Sequence, residues 1–127
     1  MPTFIEMDRT VTLADQLKPD PATDAGEPVV LINTFVVAPE ESDALLAAWT
    51  ADAAIMQAQP GFVSTQLHRG IAGSGVFLNY AVWASVADFR AAFANPAFRA
   101  RLSDYPGSAT VSPHLFRTVA VPGLCAA

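Results

Sequence analysis

The sequence predicts an α+β fold in which a four-stranded antiparallel sheet carries two helices on one face. Three observations predict it. Segments rich in β-branched and aromatic residues alternate with segments of helical spacing in the order strand, helix, strand, strand, helix, strand. The middle two strands are joined by Ala72-Gly73-Ser74-Gly75, a connection short enough for a hairpin. Only 15% of the 127 residues are charged against 52% hydrophobic, whereas typical soluble chains carry about 25% charged residues. The element order is that of the split βαβ, ferredoxin-like arrangement. Two helices cover one face of such a sheet. The other face is also mostly apolar here, so a second subunit is expected to cover it. Sheet-to-sheet packing into a homodimer would enclose a cavity lined by the polar minority of that face, so a pocket is expected either between sheet and helices or at the sheet interface.

Each element has its own warrant. Residues 1–27 form an N-terminal arm whose second half, with Pro19, Asp20, Pro21, Asp24 and Gly26, is a polar loop. Its first half carries Phe4, Ile5, Met7, Val11 and Leu13. That pattern suits an arm packed on the domain or on a partner subunit, with a partly disordered terminus as the competing reading. The folded domain spans 28–121, and 122–127 is a C-terminal tail.

Val29–Val37, VVLINTFVV, is the first strand, with Leu31, Asn33 and Phe35 on one face. Pro39, Glu40 and Glu41 open the first helix, proline in its first turn and acids at the positive end of the dipole. Leu45, Leu46, Trp49, Ala53 and Met56 are its apolar stripe, and Pro60-Gly61 ends it. Phe62–Ile71 is the second strand, with Phe62, Ser64, Gln66 and His68 on one face and Val63, Thr65, Leu67 and Arg69 on the other.

The third strand ends at Ala84 and places Phe77, Asn79, Ala81 and Trp83 on one face. Ser85 is the N-cap of the second helix, with Asp88 three residues on and Val86, Phe89, Ala92 and Phe93 at helical spacing. Asn95 caps a further helical segment with Pro96 at its first position. Ala109–Val121 is the last strand, in which Pro113 requires an edge, a bulge or an irregular start.

Composition also excludes functions. A net charge of −5 with Lys18 as the sole lysine argues against nucleic acid, whose binders need basic patches. No apolar run reaches the roughly 18 residues of a membrane helix. The opening MPTFIEMDRT lacks the basic and apolar regions of a signal peptide, and a lone cysteine, Cys125, forms no internal disulfide. A cytoplasmic protein without membrane partners is expected. Phosphate loops, paired cysteines and nucleophile elbows are absent, and His68 and His114 stand in no metal-ligand spacing.

What remains is a constellation. Asn79 and Trp83 share a strand face, His68 lies on the neighbouring strand, and Arg99, Arg101 or Arg117 offers a fixed charge. A planar aromatic substrate that ionises to a phenolate or enolate suits such a set, because hydrogen bonds and charge stabilise an oxyanion strongly in a dry site.

LINTFVV, QPGFVSTQLHRG, LNYAVWASVADFR and NPAFRARL resemble the antibiotic biosynthesis monooxygenase family of dimeric α+β barrels, over about Pro28–Val121. Asn-Tyr-Ala-x-Trp is the most specific piece and is similar to the strand of the polyketide anthrone oxygenases. The resemblance implies a cofactor-independent monooxygenase that oxidises a small anthrone- or quinol-like aromatic with molecular oxygen, needing neither metal nor organic cofactor. It implies catalytic roles for Asn79, Trp83, His68 and Arg101, with Arg99 as the alternative arginine. Asn33, Phe35, Gln66 and Phe89 complete the expected substrate-binding set. Phe89 stands where the anthrone oxygenases carry a tyrosine, which removes a phenol from the pocket. The haem-degrading members of the fold share the first-strand asparagine, here Asn33, but have a tryptophan and a histidine where this chain has Ala92 and Leu102, which argues against haem chemistry. A non-catalytic apolar-ligand-binding dimer and an isomerase or cyclase of the same barrel are the alternative functions.

Overall fold

The computed structural model describes all 127 residues. Nine regular elements follow in order: β1 (Thr3–Phe4), α1 (Leu13–Gln16), β2 (Val29–Val36), α2 (Ser42–Gln57), β3 (Phe62–Arg69), β4 (Val76–Trp83), α3 (Val86–Phe93), α4 (Pro96–Arg101) and β5 (Thr110–Phe116). Short 3-10 turns precede α2 at Pro39–Glu41 and follow α4 at Leu102–Asp104. The sheet order is β1-β5-β2-β4-β3, antiparallel throughout except for the β1–β5 pair. The four long strands and the helices give the expected α+β, ferredoxin-like arrangement.

The caps form where the sequence places them. The Ser85 hydroxyl accepts from the Asp88 N–H at 3.1 Å, and the Asn95 side chain accepts from the Ala97 N–H at 2.8 Å with Pro96 next to it. Each relieves a donor that the helix start leaves unpaired.

Strand register decides which side chains meet the helices. Directly opposite residues of an antiparallel pair share a face. Leu31 pairs Ala81, Asn33 pairs Asn79 and Phe35 pairs Phe77, and on β5 Asn33 faces Pro113 and Phe35 faces Val111. These residues form the inner face beneath the helices. Phe35, Phe77, Val111, Leu45 and Phe98 pack one half of the core, while Val29, Leu31, Trp83, Val86, Phe89 and Leu115 pack the other.

The first and third expected strands, β2 and β4, end one residue before the expected Val37 and Ala84, and the other two end earlier still. β3 stops at Arg69, two residues before the fully solvated Ile71. β5 stops at Phe116 rather than Val121, because Arg117 turns out of the sheet and donates to the Pro28 and Thr23 carbonyls at 2.9 and 3.4 Å. Val121 instead bridges Cys125 across Pro122-Gly123, with Gly123 at φ 77°.

The N-terminal arm packs on the domain of its own subunit. β1 extends the sheet beside Thr110 and Val111, and Leu13 is buried against Val29, Leu31 and Leu115. Beyond β1 the β5 edge is open, and Pro113, which has no N–H to offer, sits there. Gln16 then serves as a substitute strand: its amide donates to the Leu115 carbonyl and accepts from the Leu115 N–H, both at 3.0 Å. Arg90 of α3 fastens the rest of the arm through the Leu17 carbonyl at 2.5 Å and the Asp24 carboxylate at 2.8 Å.

Most of the outer sheet face has no cover within the chain, although His114 is buried there beside Gln16 and Phe116. Val36, Val76, Tyr80 and Phe116 stand exposed there beside half-buried Ile32, Leu78 and Val82.

Candidate active site

A cavity opens between the inner sheet face and the helices. Trp49, Asp52, Ala53 and Met56 of α2 line one side, at the i, i+3, i+4, i+7 spacing of a single helix face. Asn33, Phe35, Asn79, Ala81, Trp83, Thr65 and Phe62 line the sheet side. The void measures about 70 Å³. A water molecule needs roughly 10–15 Å³ on that measure, so this is larger than a packing defect. It lies within one subunit, between the sheet and the helices, which is the first of the two expected places; the other was the enclosure between two sheets.

Its wall is largely aromatic. Trp83 meets Phe62 edge-on at 5.5 Å and Phe89 at 5.7 Å, and the series continues through Phe93 at 5.4 Å to Phe98 at 5.5 Å between ring centres. Such edge and tilted contacts fix the rings relative to one another. Phe89 is fully buried and fills the second-helix position without a hydroxyl.

Polar groups on the wall are few, and several lack partners. The Asn79 amide oxygen accepts from the Thr65 hydroxyl at 2.5 Å, which leaves the amide nitrogen as a donor with no protein acceptor. The Asn33 amide oxygen accepts from the Ser112 N–H at 3.1 Å, so Asn33 is oriented the same way. The Trp83 indole N–H is buried and has no acceptor. A buried donor left unpaired costs about 1–3 kcal/mol, a cost that an acceptor on a bound molecule would remove.

Asp52 is the group that the sequence analysis missed. It is only 6% exposed, and its carboxylate accepts from the Tyr105 hydroxyl at 2.8 Å while its other oxygen is buried without a partner. Burial pushes its pKa up to about 6; the Tyr105 hydrogen bond opposes the shift, Asp104 adds to it and Arg101 opposes it weakly. Burial, with the neighbouring carboxylate, raises Tyr105 well above the usual phenol range, so it remains a donor. The signal was present: an acid three residues after Trp49 and four before Met56 falls inside the apolar stripe of α2.

The expected site residues divide. Asn33, Phe35, Asn79, Trp83 and Phe89 come together on the cavity wall. His68, Gln66 and Arg101 do not. Thr65 pairs Ala81 and Leu67 pairs Asn79, so it is Thr65 and Leu67 that share the inner face, and His68 and Gln66 point to the outer one. His68 is exposed, with Nδ1 3.3 Å from the Leu78 carbonyl. Proximity to Asn79 in register is not proximity in space, because neighbours along a strand face opposite ways. A register irregularity between Phe62 and Ser64 also breaks the expected shared face and turns Phe62 inward. Arg101 is solvent-facing and pairs with Asp104 at 3.3 Å. Arg99 instead lies over the Phe93 ring at 4.4 Å, touching the cavity wall from outside.

Comparison with known proteins agrees with this architecture. The family model described as antibiotic biosynthesis monooxygenase matches residues 28–101, more than half of the chain. The chain belongs to the antibiotic biosynthesis monooxygenase family. Its N-terminal arm and β5 lie outside the matched residues. The chain is 45% identical over 69 residues to the tetracenomycin-F1 monooxygenase of Streptomyces glaucescens, a match that spans 52% of this chain and 59% of that enzyme. Among solved structures, SnoaB, a cofactor-independent oxygenase from Streptomyces nogalater, superposes with a TM-score of 0.65 at 28% identity, over 76% of this chain and 98% of SnoaB. A protein of Shewanella loihica PV-4 superposes with a TM-score of 0.63 at 35% identity, over 75% and 97% of the two chains. No helix is long and apolar enough to cross a membrane.

Proposed function

We propose that this family member is a cofactor-independent monooxygenase that oxidises a small anthrone- or quinol-like aromatic with molecular oxygen. One observation carries the reading: Asn79 and Trp83, each with a donor that no protein group accepts, line one aromatic cavity. A planar phenol or its keto tautomer stacks against the rings, and its oxygen accepts from the Asn79 amide and the indole N–H. Charge that develops on that oxygen is stabilised by fixed donors away from bulk water. The electron-rich anion itself reduces oxygen, so the protein's part is to bind, to orient and to promote ionisation. The similarity to SnoaB and to the tetracenomycin-F1 enzyme supports the same chemistry.

The outer sheet face supports a second part of the reading, a homodimer packed sheet to sheet. In it Val36, Val76, Tyr80 and Phe116 are covered, and Gln66 and His68 are the polar minority of the interface rather than of the active site. Phe89, which supplies no hydroxyl, favours a competing reading in which the cavity only holds an apolar ligand.

Oxygen uptake by metal-free protein, offered anthrones and hydroquinones and corrected for autoxidation, tests the function. Asn79→Ala is expected to lower turnover by roughly 100-fold while the protein remains folded, the usual loss on removing one oxyanion donor. Uptake that is unchanged in Asn79→Ala would sink the mechanism. Folded wild-type protein without uptake would favour ligand binding alone.

A further inference from the structure

We infer that Asp52 is the general base of this site, taking the proton whose removal makes the aromatic substrate oxidisable; the inference rests on the oxygenase reading above. Asp52 is the sole carboxylate on the cavity wall, and Tyr105 is the sole other titratable side chain there. His68 and Arg101, the groups that sequence spacing would recruit, lie outside it. One Asp52 oxygen is held by the Tyr105 hydroxyl at 2.8 Å, and the other is buried with no protein donor. The carboxylate of this cavity-lining residue is thus oriented on one oxygen and keeps, on the other, a proton-accepting capacity that no protein group uses. Placed on α2, it stands across the cavity from the Asn79 and Trp83 donors of β4. One wall thereby removes the proton while the other receives the charge.

The electron balance closes with oxygen as the co-reactant. Asp52 takes a proton from the acidic methylene of an anthrone-like substrate, and the electron pair of the broken C–H bond delocalises onto the oxygen facing Asn79. The carbanion passes electrons to O2 and a C–O bond forms, giving a peroxide anion. Asp52 returns its proton to give a hydroperoxide. Loss of the second C–H proton, with cleavage of the O–O bond, releases water and leaves the new carbonyl. One oxygen atom enters the product and the other enters water.

The charged surroundings of Asp52 set its working range. Asp104 and Arg101, on the segment packed against α2, pull in opposite directions, Asp104 more strongly, and the Tyr105 hydroxyl faces the carboxylate directly. The charged side chains of β3, Arg69 and His68, are solvent-exposed, and the acids before α2, Glu40 and Glu41, do not line the cavity. A base with its pKa near 6 is ionised at neutral pH yet more basic than an ordinary carboxylate.

The experiment uses the full chain with a dihydroxyanthrone probe and reads two rates. These are oxygen uptake in air and, under nitrogen, exchange of the probe's methylene protons for deuterium. Wild type should show both, with a common acid limb near pH 6. Asp52→Asn keeps an acceptor for Tyr105 and should lose about 100-fold or more in both rates with probe binding, read by tryptophan fluorescence, retained. Tyr105→Phe should move the acid limb to higher pH, because the hydrogen bond it removes favours the ionised carboxylate. An Asp52→Asn variant with rates within about threefold of wild type and the same acid limb overturns the assignment. Asp52-dependent exchange without oxygen uptake upholds the base and overturns the oxygenase. Absence of both activities in folded wild type overturns both.

Discussion

At the scale of single residues, Asp52 sets function against stability. Its pKa is raised on folding from the ordinary 3.8 to about 6, so the contribution of the protonated acid is fully present below about pH 4 and is lost as pH rises through 6. The ionised form that catalysis needs is the destabilising one. Asp52→Asn should therefore be more stable than wild type at pH 7 by on the order of 1–3 kcal/mol, an advantage that shrinks towards zero near pH 4. Chemical denaturation of both proteins across that range measures it. An advantage that does not vary with pH would locate the effect elsewhere than in the carboxyl ionisation. Asp24 has the opposite sign. The Arg90 guanidinium holds its carboxyl below the usual range, so its contribution is present above the ordinary carboxylate pKa and is lost as pH falls. The two residues lie on separate parts of the structure, and their pH effects should separate by mutation.

At the scale of elements, the arm and the β3–β4 hairpin are the parts whose roles are most sharply exposed. Phe4 lies on the cavity wall although it belongs to the N-terminal arm, which lies outside the family match. Phe4→Ala is expected to widen the cavity beside Val111 and Pro113 and to change the order of preference among anthrones of different size. It should leave the melting temperature nearly unchanged, because Phe4 is 40% exposed. Relative kcat/KM values across a size series provide the check, and an unaltered ranking would remove the arm from specificity. Arg90→Ala should free Leu17 and Asp24 together, and limited proteolysis should then cleave first between 17 and 27. At Gly75, on the hairpin, a Cβ would lie 2.0 Å from the Val37 carbonyl oxygen, a contact that only a backbone shift relieves. Gly75→Ala is expected to destabilise the protein by about 2 kcal/mol or more in urea unfolding, since the obstacle is main chain rather than a flexible side chain.

For the whole molecule, the two apolar sheet faces have different fates. Helices α2, α3 and α4 cover the inner face and leave the cavity; the outer face, apart from His114 beside Gln16, has nothing over it in the chain. With 15% charged residues there is little polar surface to offset that patch. Sedimentation at micromolar concentration is expected to give a dimer, and Leu78→Lys, in the middle of the outer face, to give a monomer. A monomeric wild type would undercut the sheet-to-sheet packing without touching the cavity, whose described lining comes from one subunit.

The fold was legible in the sequence because it rests on periodicity and punctuation, and the family because Asn-Tyr-Ala-x-Trp and its neighbouring segments carry a resemblance. Ser85, Asn95-Pro96 and Pro60-Gly61 mark element ends through local chemistry, and the inner-face alternation Phe77, Asn79, Ala81, Trp83 survives into the structure unaltered. Asn79 and Trp83 share a face for that reason, and the resemblance added Asn33, Phe35 and Phe89 to them. Tertiary structure decided what local pattern does not encode. A one-residue difference in register and an irregularity after Phe62 put His68 and Gln66 on the far face. The solvent-side ion pair with Asp104 took Arg101 out of the site. Ser42, Leu45, Ala48 and Asp52 are the buried line of α2, so its rotation brought an acid from the apolar stripe to the cavity and set Tyr105 against it. The fold belongs to the sequence because hydrophobic period and capping act within a few residues. Which polar group meets which depends on register and helix rotation, and these are settled only when the layers pack.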